Sequence, residues 1–139
     1  MKFRVLLFLI LLLSVFSVKA QDTLKTASGL QYVVVTKGSG AKPTKGQNLE
    51  VRYTGRLQNG TIFDSSKRKS IQFTIGAKEV IAGWDEGFLL MHEGEKGILI
   101  IPSTLAYGKN GVPDEDNPGK YIIPPNANLT FDVELISIK

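Results

Sequence analysis

The feature that most constrains this chain is a period of two. In "LEVRYTGRL", residues 49–57, Leu49, Val51 and Tyr53 share one face, while Glu50, Arg52 and Thr54 share the other. In "LTFDVELISIK", residues 129–139, Leu129, Phe131, Val133 and Leu135 fall together. Successive side chains of a strand point to opposite faces, so this pattern predicts half-buried β-strands. Shorter segments read the same way. "LQYVVVTKG" opens at Leu30, and "TIF" follows the hairpin signal Asn59-Gly60. "IQFTIG" aligns Ile71, Phe73 and Ile75, and "KGILIIP" is closed by Pro102.

One stretch breaks the pattern. Val80, Ile81, Trp84, Phe88 and Met91 recur at spacings of three and four, ahead of "HEGEKG". That predicts a single helix of about ten residues. The expected fold class is α+β: a curved antiparallel sheet of five or six strands wrapped around one short helix. A turn-rich connection runs through "GSGAKPTKGQN", and a proline- and glycine-rich loop runs from Lys109 to Pro125.

The first twenty residues stand apart. "MKFRVLLFLILLLSVFSVKA" carries Lys2 and Arg4, an apolar run from Val5 to Val18, and a small-residue end at Ala20. This reads as a signal peptide over residues 1–20, too short in its apolar part for the ~20 residues of a membrane span. The expected product is exported, periplasmic or secreted, without stable membrane insertion. Residues 21–29, "QDTLKTASG", read as a flexible leader, and residues 30–139 as the domain. The net charge of +4 falls to +1 once Lys2, Arg4 and Lys19 are set aside. Nothing in the remainder calls for nucleic acid. The chain has no cysteine, so disulfides and thiol chemistry are excluded and the core must suffice.

Familiar catalytic sets find little support. His92 is the one histidine, and no nucleophile elbow lies near it. It reads as an exposed helix-terminal side chain. "DEDNPG" from Asp114 opens like a calcium loop, but its twelfth position is Pro125 rather than a carboxylate. "GSG" at 38–40 lacks the lysine of a phosphate loop. What stands out is aromatic: Tyr53, Phe63, Trp84, Tyr107 and Phe131 sit at inward positions or beside turns, with Asp64 directly after Phe63.

"VRYTGRL", "TIFDSS", "EVIAGWDEG", "LAYG" and "IIPPNANLTFDVELISI" occur in this order. Together they resemble the FKBP-type peptidyl-prolyl cis-trans isomerases, the macrolide-binding immunophilins, over about residues 30–139. The resemblance implies an isomerase that turns X–Pro bonds without cofactor or metal; the pattern of residues 1–20 makes exported polypeptides its expected clients, and the small domain favours a monomer. It implies a shallow pocket with Trp84 at its base, walled by Tyr53, Phe63, Ile71, Val80, Ile81 and Phe131. Asp64 would lie at its edge, with Tyr107 and Ile123 in the loop over it. The Ile81 N–H and the Tyr107 hydroxyl would bind substrate carbonyls. Catalytic weight is assigned to Asp64, Tyr107, Trp84 and Phe131. Macrolides are implied as further ligands, and Arg68 as a candidate partner for Asp64. Ile71 stands where compact family members carry phenylalanine, and the loop after Tyr107 is longer than theirs. These departures motivate a second reading, a proline-peptide-binding chaperone or scaffold with little catalysis.

Overall fold

A computed structural model describes residues 21–139. The signal peptide read over residues 1–20 lies outside the described residues. The centre of the fold is a pair of ten-residue strands, β3 (Asn48–Leu57) and β9 (Leu129–Ile138), antiparallel from Leu49↔Ile138 to Leu57↔Leu129. Their alternation is realised in burial. Leu49, Val51, Leu129, Phe131, Val133 and Leu135 are all core, and the residues between them are more exposed.

Around this pair the chain adds β1 (Thr23–Lys25), β2 (Gln31–Thr36), β4 (Ile62–Ser65), β5 (Ile71–Thr74) and β6 (Lys96–Ile101). The sheet order is β1-β2-β6-β9-β3-β4, with β5 also on β3, and every pairing is antiparallel. The seventh strand was not expected. Part of the leader read as flexible is β1, which pairs Thr23–Lys25 with Gln31–Val33. A turn closed by Thr26 N–H to the Leu30 carbonyl folds it back. The loop after Tyr107 is also partly ordered as a two-stranded hairpin, β7 (Val112–Pro113) with β8 (Tyr121–Ile123).

Two of the three bulges in the sheet lie against β3. Ile136 is the extra residue where β9 slips against Glu50 and Val51. Phe63 is the extra residue where β4 slips against Gly55 and Arg56. Bulges bend a strand and re-aim a side chain, and the second one lies in the wall of the site described below.

The helix α1 covers Ala82–Gly87 and runs into a 3₁₀ turn, Phe88–Leu90. It is shorter than its sequence period, because Val80 lies in a bend and Ile81 has non-helical backbone, φ −58° and ψ 150°. Gly83 and Gly87 face β6. A Cβ on Gly83 would lie 2.5 Å from Ile101 Cγ2, and one on Gly87 2.5 Å from Leu99 Cδ2. Glycine costs a helix about 1 kcal/mol. Here it lets the helix axis press onto the sheet and seat Trp84, 4% exposed, against the strands. Among the described residues, no helix is long and apolar enough to cross a membrane.

Candidate active site

A hollow of about 200 Å³ opens between β3, β4, β9 and the approach to α1. Its walls are Tyr53, Phe63, Asp64, Ile71, Glu79, Val80, Ile81, Trp84, Tyr107 and Phe131. Volume does not single it out, since hollows beside Tyr32 and beside α1 enclose about 510 Å³ each. Its chemistry does, for it gathers five aromatic rings.

Those rings brace each other edge to face. Trp84 stands 4.9 Å from Tyr53 at 77°, and 5.3 Å from Phe131 at 80°; Phe63 stands 5.6 Å from Phe131 at 89°. Such pairs are favoured by the ring quadrupoles. The Trp84 Nε1–H is buried without a hydrogen-bond partner among the described residues. Gly55 makes room for the wall: a Cβ there would lie 2.5 Å from Phe63 Cζ and 2.8 Å from Phe131 Cε1. Glycine in a strand interior weakens it and signals a close approach. That was the available sign of this residue's importance.

Polar groups are confined to the rim. The Tyr53 hydroxyl donates to Asp64 Oδ2 at 2.6 Å, and the Ser65 N–H donates to Asp64 Oδ1 at 2.8 Å. Both carboxylate oxygens are therefore engaged. Arg68 forms no ion pair with Asp64 among the described residues; a phenol holds the acid instead. Burial, then the hydrogen bond to Asp64 and its charge, raise the Tyr53 pKa far above the phenol range. Burial and the charge of Asp64 raise that of Tyr107. Both stay protonated donors at neutral pH. Tyr107 is 41% exposed. The Ile81 N–H has no acceptor among the described residues, while the Ile81 carbonyl receives the N–H groups of Trp84 and Asp85.

Ile123 is not on this wall. Its side chain is 3% exposed and part of the core, because β8 turns Tyr121 and Ile122 outward and Ile123 inward. Glu79 lines the hollow and was not foreseen. Its Oε2 accepts the Thr74 N–H at 2.9 Å, a contact between a strand end and a helix approach that local periodicity does not reveal. His92 is half-exposed, with Nδ1 3.5 Å from Glu95 Oε1. Glu95, also unforeseen, is the buried acid of the core.

A curved antiparallel sheet with one short helix, an aromatic-walled hollow and donors at its rim defines a class of small α+β domains. A family model described as FKBP-type peptidyl-prolyl cis-trans isomerase matches residues 39–136. The chain is 46% identical over 114 residues to the peptidyl-prolyl cis-trans isomerase Fkbp12 of Drosophila melanogaster, covering 80% of this chain and 99% of that protein. It is 50% identical over 110 residues to FK506-binding protein 4 of Dictyostelium discoideum, covering 79% of this chain and 28% of the relative. The crystal structure of AtFKBP13 superposes with a TM-score of 0.78 at 39% identity, covering 85% of this chain and 99% of that one. The chain belongs to the FKBP-type peptidyl-prolyl cis-trans isomerase family. It spans between 28% and 57% of the length of several curated relatives that it matches.

Proposed function

We propose that the protein is a peptidyl-prolyl cis-trans isomerase that accelerates rotation about X–Pro bonds in exported polypeptides. The observation that carries this reading is the pairing of an aromatic hollow with two uncommitted donors, the Ile81 N–H and the Tyr107 hydroxyl, at its edge.

An X–Pro amide is planar because of resonance, and the rotational barrier is about 18–20 kcal/mol. No bond to the peptide is made or broken on rotation, so the chemistry requires no nucleophile or cofactor. In the twisted state the nitrogen is pyramidal and the carbonyl less polarised. Dry aromatic walls disfavour the planar, charge-separated amide relative to the twisted one, which is differential transition-state binding. A gain of about 10⁵ in rate needs only ~7 kcal/mol.

In this reading the prolyl ring rests on Trp84, between Phe63, Phe131, Tyr53 and the aliphatic wall of Ile71 and Val80. The Ile81 N–H and Tyr107 hydroxyl hold flanking carbonyls while the bond turns. Asp64, fixed by Tyr53, shapes the field at the edge. Macrolide ligands would occupy the same hollow, and the active form would be a monomer. The pattern of residues 1–20 supports action in the periplasm or outside the cell. The test is kcat/KM on a panel of short X–Pro peptides, using the chain from Gln21 onward. Saturable acceleration is expected, and tight peptide binding without acceleration would leave a binding module in its place.

A further inference from the structure

The far side of Val80 bears a second hollow. Val80 lines both the aromatic hollow and one of about 510 Å³ formed with Lys45, Gly76, Lys78, Ala82, Asp85, Glu86 and Leu89. The two are thus neighbours across a single side chain. A polypeptide whose proline sits over Trp84 must leave the first hollow somewhere. An extended chain advances roughly 3.3 Å per residue, so two or three residues carry it over Val80.

The hydrogen-bonding inventory of this second hollow is one-sided. Asp85 Oδ1 takes the Gly76 N–H at 2.8 Å, and Oδ2 takes the Lys78 N–H at 3.2 Å. Both oxygens of Glu86 lie 2.8 Å from the Ser28 hydroxyl. Lys45 and Lys78 form no ion pair among the described residues. Each ammonium offers three donors and no acceptor. Among the described residues, the charged groups of this hollow without a hydrogen-bonding partner are therefore the two ammonium groups, above the apolar patch of Val80, Ala82 and Leu89.

Both lysines are exposed, but the Lys45 stem and the Lys78 backbone are positioned. The Lys45 stem lies across Gly76, where an added Cβ would meet Lys45 Cγ at 3.1 Å. Lys78 has φ 59°, in the left-handed region that favours glycine, and Asp85 pins its N–H there. The four charges of the hollow cancel, so any preference acts by contact rather than by long-range attraction.

We propose that this hollow is a second subsite for the client chain, taking a carboxylate side chain two to four residues from the proline. The proposal rests on the isomerase reading and names the clients the site favours: proline segments with a nearby aspartate or glutamate.

The test compares X–Pro peptides carrying Glu or Gln at each position two to four residues before or after the proline, alongside a neutral parent. One Glu position should raise kcat/KM three- to tenfold over its Gln counterpart, chiefly through KM. In the Lys45→Gln, Lys78→Gln double variant the Glu peptide should fall to the Gln level, with the neutral parent turned over as before. Amide shifts on titrating the Glu peptide should include residues 45, 78 and 82. Equal Glu and Gln peptides at every position, or a preference that survives the double variant, overturns the subsite. If the neutral parent is not turned over at all, the isomerase reading fails. The amide shifts then decide the subsite independently: their presence at residues 45, 78 and 82 supports it, and their absence overturns it.

Discussion

The Tyr53 hydroxyl donates a 2.6 Å hydrogen bond to Asp64 Oδ2, joining the wall of the aromatic hollow to its rim. Tyr53 lies in β3 where the strand edge passes from β4 to β5, its N–H bound to Ser66 Oγ at 2.9 Å. Removing the hydroxyl in Tyr53→Phe frees Asp64 to swing. We expect kcat/KM to fall about tenfold, the cost of one hydrogen bond to a charged acceptor. Unchanged circular dichroism would show that the fold is not the cause.

The raised pKa values of Tyr53 and Tyr107 predict a pH profile. Neither phenol titrates at neutral pH, so kcat/KM should be flat from about pH 6 to 9. A phenol whose pKa is higher folded than unfolded stabilises the fold fully below the unfolded value, about 10. That contribution is lost as pH rises through the folded value. Tyr32 is raised too, by burial and then by its bond to and charge interaction with Glu95. Urea midpoints should therefore decline above about pH 10, whereas a decline beginning near neutrality would contradict the assignment.

Gly55→Ala places a methyl group against Phe63 and Phe131. Overpacking of this kind costs about 1–3 kcal/mol. Because the clash falls in the wall of the hollow, activity should drop by more than the loss of folded protein explains. Kinetics corrected for the folded fraction from a denaturation curve would separate the two.

Pocket shape and donors can be weighed by a pair of variants. Tyr107→Phe keeps the ring and removes one donor from a half-exposed side chain, so kcat/KM should fall by no more than about tenfold. Trp84→Ala removes the base of the hollow, should cost about 3–5 kcal/mol of stability, and should abolish measurable turnover. Complete loss in the tyrosine variant with the fold intact would reverse the ranking of the two effects.

Glu95 is 3% exposed. It receives the Tyr32 hydroxyl at 2.6 Å, and the Gly38 and His92 N–H groups at 3.3 and 3.4 Å. Tyr32→Phe removes the shortest of these bonds from a buried carboxylate. A loss of about 1–3 kcal/mol follows, or roughly 4–12 °C in Tm. Turnover per folded molecule should not change, since this cluster lines a different hollow.

Much of the architecture was readable from period alone. Strands β3, β5 and β9 follow apolar alternation, β4 follows the Asn59-Gly60 turn signal, β2 and β6 read as apolar runs, and Trp84 and Phe88 follow the helical spacing between them. The resemblance named the residues that line the hollow at Trp84 except Glu79, and it named Ile123, which is not among them. Other features were not readable, for identifiable reasons. Strand β1 is polar and exposed, so its pairing leaves no hydrophobic signature. The β7–β8 hairpin hides in a stretch dominated by proline and glycine. Glu79 and Glu95 look like surface acids until Thr74 N–H and Tyr32 are brought to them from elsewhere in the chain.

By itself the order of residues determined which faces are apolar, where the one helix falls and which rings were available for a pocket. Those are local properties, carried by periods of two and of three to four. Only the tertiary structure decided that Phe63 is the bulged residue aimed over Gly55, that Asp64 answers to a phenol rather than to Arg68, and that Val80 separates two hollows. Register, bulges and hydrogen bonds between distant segments arise when strands pair and a helix docks, and no local pattern encodes the partner.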